Sequence, residues 1–226
     1  MAKIRSDAKL YLTPTGVAAP PADVNITSVT KANPCVLTAA SAIGAATFAT
    51  FEGTGEALLD GKTFRLVNIA GSAGTLEGFD GTQLGAAVAS GAGKVVQLWE
   101  VSDTDPAADL LCACLATVTI AGQEPDALNL DDMCTSTTVL GTPKPPTFQF
   151  TGWVDQDSAG FKNLIQASLE SPKTTRYMLI DFGTAGGYIF GPVEIGAISV
   201  TAGVNAGLAF SGSGVFTEVP TYSWAL

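Results

Sequence analysis

The chain has 226 residues, 46% of them hydrophobic and only 14% charged, with 25 glycines and a formal net charge of −10. It is too apolar for disorder and too often broken by glycine for long helices, so an all-β or mostly β protein with one large core or two small ones is expected. The acidic balance argues against holding nucleic acid by its phosphates, and the absence of histidine removes Ser-His-Asp and Cys-His nucleophilic sites, imidazole zinc sites and histidine pH switches together.

The N-terminal stretch from Met1 to Lys9 is charged with no apolar run behind it, which predicts neither an export signal nor membrane contact. A first strand is expected over Ala8–Thr13, closed by Pro14, Gly16 and the pair Pro20-Pro21, since proline cannot continue a sheet interior. Short β-like runs follow at Val24–Thr30, Cys35–Ala39, Thr47–Phe51, Thr63–Ile69, Thr75–Phe79 and Val95–Trp99, punctuated by glycine-rich turns. Such spacing suits a small barrel or sandwich.

Residues 24–98 hold four basic and five acidic residues, leaving seven basic and sixteen acidic to the rest of the chain. Two compositions in one chain suggest two modules: a small β domain at 24–98 inserted into a larger one formed by 1–23 and 99–226. The insert is expected to be an outward decoration that assembly does not need.

After the insert, Leu110–Ala121 predicts one long strand. Residues 122–147, with four prolines and several Asp and Thr, predict a long loop of the kind that is usually functional. Thr147–Trp153 alternates, with Phe148 and Phe150 on one side and Gln149 and Thr151 on the other, the period of a half-buried strand. A helix over about 158–170 is expected next, capped by Asp157 and stopped by Pro172, with Phe161, Leu164, Ile165 and Leu169 as its packing stripe. Strands at Arg176–Phe182, Tyr188–Phe190, Val193–Thr201 and Leu208–Val219 complete the pattern, with Gly191-Pro192 as a divider and Pro220 as its end.

No catalytic constellation emerges. Gly91-Ala92-Gly93-Lys94 lacks the flanking residues of a phosphate loop, and Asp155-x-Asp157-x-x-Gly160 has Gln166 where a calcium loop needs glutamate. Ser6-x-x-Lys9 and Ser28-x-x-Lys31 match a nucleophile spacing that works on helices, but both fall in or beside predicted strands. The four cysteines, Cys35, Cys112, Cys114 and Cys134, form no CxxC pair and are expected to be reduced. No cofactor and no metal is expected.

With the insert set aside, the order of early strand, long strand, Asp- and Pro-rich loop opening on Asp126-Ala127-Leu128-Asn129-Leu130, aromatic strand, single helix and closing run Phe210-Ser211-Gly212-Ser213-Gly214-Val215-Phe216 resembles the tail tube proteins of long-tailed bacteriophages. The insert, through Ile26–Pro34, Gly53-Thr54-Gly55, Leu59–Phe64 and Gly74–Gly78, resembles the small non-catalytic phage domains named after the first catalytic cysteine half-domain. The resemblance implies a β-sandwich with a flanking helix, a virion subunit assembled in the host cytoplasm, and six copies forming rings whose inner strands join into one barrel. It implies partners as well: further copies of the chain, a tape measure protein, and tail terminator or tip proteins, with DNA only in transit. Under it, Asp126, Asp131, Asp132, Thr135, Thr137, Pro143 and Pro145 are the candidates for ring stacking, and Gln149, Thr151 and Trp153 for the tube lining. A net negative bore is expected, because the acidic excess lies outside the insert. The competing readings are a β-rich surface adhesin or carbohydrate-binding protein, and a carboxylate-only enzyme, which would need two carboxylates facing across a cleft.

Overall fold

The structure is a computed structural model that describes residues 9–14, 21–44, 47–102, 105, 108–113, 115–121, 127–132, 135–140, 145–182, 187–202, 207–218 and 220–223. After β1 (Lys9–Leu12), the chain enters β2 (Pro21–Val29), β3 (Val36–Ala39), β4 (Phe48–Glu52), β5 (Thr63–Ala70), β6 (Ala73–Leu76) and β7 (Lys94–Trp99). These six close into a barrel in the order β2-β3-β6-β5-β4-β7. Its interior is filled by Ile26, Val29, Leu37, Phe51, Leu59, Leu66, Leu76, Val88 and Val95. Closure removes the edges that such short strands would otherwise expose.

The remaining strands are β8 (Val101–Ser102), β9 (Leu110–Cys112), β10 (Leu115–Ala121), β11 (Ala127–Asp132), β12 (Thr135–Leu140), β13 (Thr147–Trp153), β14 (Arg176–Asp181), β15 (Tyr188–Thr201), β16 (Ala209–Phe216) and β17 (Thr221–Ser223), with α1 (Ala159–Leu169) between β13 and β14. All but β11 and β12 join β1 in one sheet of order β10-β13-β16-β15-β14-β1-β9-β8, with β17 on the flank of β15. Among the described residues the fold is thus mostly β with one helix, a closed barrel and a large sheet that is antiparallel except where β8 runs parallel to β9. On one side of that sheet lies a core in which Phe148, Phe150, Phe210 and Phe216 meet Leu10, Leu12, Met178, Ile180 and the helix residues Phe161 and Leu164.

Several expectations need correction. The run 110–121 is two strands: β9 pairs with β1, while β10 pairs with β13 at the opposite end of the sheet. The Pro-rich segment after Gly122 is no plain loop, because β11 and β12 form an antiparallel hairpin with Ala127 opposite Leu140 and Asp132 opposite Thr135. Gly191-Pro192 does not divide β15. Pro192 lies opposite Tyr177 on one side, and on the other side β17 ends its pairing at Phe190 and β16 begins at Val193. The missing N–H therefore falls in a gap of the ladder, while the Pro192 carbonyl accepts from Thr217 N at 2.9 Å. Pro220 likewise does not end the order, since Tyr222 in β17 pairs with Ile189.

The helix caps with Ser158 rather than Asp157: the Ser158 hydroxyl accepts from Phe161 N at 3.2 Å. Its buried residues are Gly160, Phe161, Asn163, Leu164 and Ala167. At about 100° per residue, this face centres on Leu164 and Ala167 and leaves Leu169 on the far side, 75% exposed. Ile165 is half-buried. The residues that contact the sheet include small ones because the helix comes very close to it; a Cβ on Gly160 would overlap the Cys112 carbonyl oxygen. Asn163 Nδ2 donates to Leu12 O at 3.3 Å and Thr13 O at 3.0 Å, and its Oδ1 accepts from buried Arg176 Nη1 at 2.6 Å. Arg176 also donates to Thr13 O at 3.0 Å and forms an ion pair with Glu170. A buried guanidinium with this many acceptors is compensated on every side, and it ties α1 to the end of β1.

Leu164→Ala is expected to lower the free energy of unfolding by about 2–5 kcal/mol in a urea titration, whereas Leu169→Ala stays within about 0.5 kcal/mol of the parent. Equal losses in the two variants would contradict the buried arc described above.

Candidate functional site

The four strands β10, β13, β16 and β15 form one end of the large sheet, and their alternation gives it two unlike faces. In β13, Thr147, Gln149, Thr151 and Trp153 are exposed and Phe148, Phe150 and Gly152 are buried. Register carries this across the strands. One exposed row runs Thr117, Thr151, Ser211, Ser199; the next holds Thr119, Gln149, Ser213; a third holds Ala121, Thr147, Val215, Glu194; and Trp153 stands beside Ala209 and Thr201. The Thr117 and Thr151 hydroxyls are 2.6 Å apart. Among the described residues in these rows there is no Lys or Arg, and Glu194 is the one carboxylate. The acidic excess of the chain is therefore not concentrated on this face, which is a hydroxyl and amide surface.

The inner face explains the serine-glycine run. Phe148 lies opposite Gly214, Phe150 opposite Gly212 and Phe210 opposite Gly152. A Cβ on Gly212 would come 2.5 Å from Phe150 Cζ and one on Gly152 2.6 Å from Phe210 Cζ; one on Gly214 would overlap the Phe148 ring. Each ring thus lies over the glycine of the neighbouring strand, so serine can alternate outward while glycine leaves room inward.

The two outer strands of this group are open. Among the described residues β10 is the terminal strand of the sheet and pairs with β13 alone. β15 pairs with β14 only as far as Val193, so Glu194–Thr201 has β16 on one side and no described strand on the other. Neither edge has a proline or lysine, two of the devices that block pairing in a monomer, although each carries a register shift, between Leu115 and Thr117 and between Ile195 and Ile198.

The barrel is fastened to the other half of the sheet by a shared aromatic core. Phe48 meets Tyr188 edge-on with ring centroids at 5.1 Å, and Trp99 meets Phe190 at 5.2 Å and Tyr177 at 4.7 Å. Tyr188 OH accepts from Arg65 N and donates to Thr63 O, both at 3.0 Å. The Arg65 side chain, 8% exposed, lies over the Phe48 and Tyr188 rings, reaches Glu77 at 2.8 Å and forms an ion pair with Asp181 of β14. The joint buries Phe48, Trp99, Tyr188 and Phe190 together, and removal of residues 24–98 would take Phe48 away from Tyr188 and Phe190.

Of the ring-stacking candidates, Asp131, Asp132, Thr135 and Thr137 lie in the hairpin strands, opposite Ser136, Thr135, Asp132 and Leu130. Pro145 is exposed just before β13, and Asp126 and Pro143 fall outside the described residues. The lining candidates Gln149, Thr151 and Trp153 share the exposed hydroxyl face. Sequence reasoning missed Arg65, Arg176 and Tyr188, for which no local pattern exists, since Arg65 meets Tyr188 and Asp181 from more than a hundred residues away in the chain. It also passed over the Ser-Gly alternation as a packing signal, although that was legible.

Cys35 is a buried free thiol, and Cys112 is buried as well. Burial pushes the Cys35 thiol up to about 11, against the lowering effect of its hydrogen bond to Thr30, and Asp80 adds to the rise. Asp60 is desolvated, but bonds from the Thr54 hydroxyl at 2.7 Å and from the Thr54 and Gly55 amides at 2.7 and 3.1 Å outweigh this and hold its carboxyl below the usual value.

No family model matches the chain, and no curated protein matches it. Among solved structures, similarity is found to the tail of an empty gene transfer agent particle refined with C6 helical symmetry, at 13% identity over 54% of this chain and 91% of that one, TM-score 0.42. The SPP1 tail tube is similar at 18% identity over 49% of this chain and 66% of that one, TM-score 0.35. The sheath-tube complex of an extracellular contractile injection system is similar at 8% identity over 46% and 79%, TM-score 0.36.

Gly214→Ala is expected to lose about 1–3 kcal/mol of stability through overpacking against Phe148, while Ser213→Ala on the opposite face changes it by less than about 0.5 kcal/mol. Cys35, held as a buried thiol with its pKa raised to about 11, is expected to resist iodoacetamide at mildly alkaline pH until denaturant is added. Mass spectrometry of the alkylated chain checks this, and rapid native labelling of Cys35 would show that the site is open.

Proposed function

We propose that this chain is the structural subunit of a bacteriophage tail tube, six copies forming a ring and rings stacking into the conduit through which DNA leaves the particle. The observation that carries the reading is the four-stranded group β10-β13-β16-β15 with two open edges and a hydroxyl face. Pairing of β10 from one copy with the Glu194–Thr201 stretch of the next would satisfy both rows of backbone groups at once and close the ladders into a ring. The rows holding Gln149, Thr151 and Trp153 then face the bore. DNA passing such a surface meets Ser, Thr and Gln with a single carboxylate per copy from the rows described above, so phosphates are not held by cations.

In this reading the hairpin β11-β12, with the segments flanking it, reaches the neighbouring ring. An isolated two-stranded hairpin is marginal in water, and a neighbouring copy supplies the missing support. A tape measure protein would occupy the bore before ejection, terminator or tip proteins would cover the terminal rings, and the barrel would stand as an outer module. The site of action is the virion tail, after assembly in the host cytoplasm.

Negative-stain electron microscopy of the concentrated protein tests the reading: hollow tubes or stacked rings are expected, and a protein that stays monomeric at high concentration overturns it. A variant with residues 127–140 replaced by a short Gly/Ser turn is expected to keep a native β-type circular dichroism spectrum and to form rings that do not elongate. Tubes of normal length from that variant would remove the hairpin from the stacking contact.

A further inference from the structure

The seam between barrel and sheet contains a cleft of about 440 Å³ that the aromatic joint does not fill. Its lining includes Thr50 and Glu52 of β4, Gln97 of β7, Tyr177 of β14, and Glu218 and Thr221 on the sheet side. None of these belongs to the hydroxyl face or to the open edges. The volume lies within the range of small-ligand sites, about 300–1,000 Å³. A second hollow of about 410 Å³ adjoins it, sharing Gly61 and Thr221.

Three features define what the cleft can hold. First, its polar groups are open to a ligand: Glu52 and Glu218 are exposed at the rim and Gln97 and Tyr177 are half-buried, and among the described residues their side-chain polar atoms make no hydrogen bond within the chain. The hydroxyls of Thr50 and Thr63, by contrast, are spent on each other at 2.8 Å. Second, Tyr177 is rigid. Its ring is backed by Trp99 at 4.7 Å and Phe190 at 5.9 Å, so little side-chain entropy remains to be lost on binding. Third, no Lys or Arg lines the cleft itself, and the adjoining hollow sets Lys62 beside Asp60; an anion in the cleft would meet two carboxylates first. A divalent cation is disfavoured too, because no group of three Cys, Asp or Glu side chains stands together among the described residues.

An aromatic ring held rigidly beside planar amide and carboxylate groups, with no cation, matches a neutral polyhydroxylated ligand. Its hydroxyls donate to carboxylates and exchange bonds with an amide, and its C–H faces pack on the ring. We propose that this cleft is a glycan site for one or two neutral sugar rings, with Glu52, Gln97 and Glu218 as hydrogen-bonding residues and Tyr177 as the packing surface. The site does not depend on the tube reading, since it is built within one copy.

The test is saturation-transfer NMR of the full chain with maltotriose, cellotriose and the trimer of N-acetylglucosamine at millimolar concentration, with spermidine as a separate probe. Transfer to the ring protons of at least one trisaccharide is expected, and the variants Gln97→Ala and Glu218→Ala are each expected to weaken it ~10-fold, as removal of a ligand hydrogen bond typically does. A thermal melt confirms that both variants remain folded. Three outcomes overturn the proposal: no transfer to any of the three sugars, sugar binding undiminished in both folded variants, or binding of spermidine alone, which would assign the carboxylates to a cationic ligand.

Discussion

Strand β15 is the member on which the rest of the architecture depends. Its first half, from Tyr188 to Val193, pairs with β14 and with β17, and its second half continues alone beside β16 to Thr201. One strand therefore serves two parts of the sheet: the half that receives the barrel and the half that presents the hydroxyl face. The changeover occurs at Gly191-Pro192. Gly191 is packed so closely that a Cβ there would come 2.8 Å from Pro220 Cβ, and Pro192 spends its lost donor where neither β16 nor β17 needs one. A residue pair that would ordinarily stop a strand instead marks where its partners change.

On the first half of β15, specificity comes from polar groups set in an aromatic core. Arg65 belongs to the barrel, its partners Glu77 and Asp181 to the barrel and the sheet. Burying one guanidinium against two carboxylates and two rings is tolerable only while all partners are present; removing the arginine would leave two carboxylates facing each other. Such an arrangement fixes how the barrel sits better than apolar contact alone, because hydrogen bonds from Arg65 N to Tyr188 and from Tyr188 to Thr63 have one geometry. The barrel is thereby a built-in part of the molecule, joined by a core and not only by its two chain connections.

On the second half, the logic is reversed: order is kept inside and pairing capacity is left outside. Phe-Gly pairs across β13 and β16 lock the register, because a one-residue slip would put phenylalanine on the exposed face and serine under the rings. Beyond this locked pair, β10 and the second half of β15 have no described strand on their outer sides. The interior register is fixed while two outer strands keep backbone pairing capacity, and the exposed rows between them carry no arginine or lysine.

Much of this was legible in the chain. The glycine punctuation and β-branched runs located the barrel strands to within a few residues, because turns with positive φ and half-buried strands are local demands that each segment answers by itself. The alternation of Phe148 to Trp153 likewise separated the exposed Gln149 and Thr151 from the core. The helix was legible in extent but not in orientation: Gly160 faces the sheet because the Cys112 carbonyl of β9 lies against it, and Ala167 is buried on the same side, which no helical periodicity of large residues reveals. The hairpin at 127–140 was hidden by the prolines around it. The pairing of Arg65 with Asp181, the unbroken course of β15, the separation of β9 from β10 and the cleft at the seam were decided by tertiary structure alone. Each depends on which distant strands become neighbours, and the chemistry of a single residue does not encode its partner; only the packed sheet and barrel bring the two together.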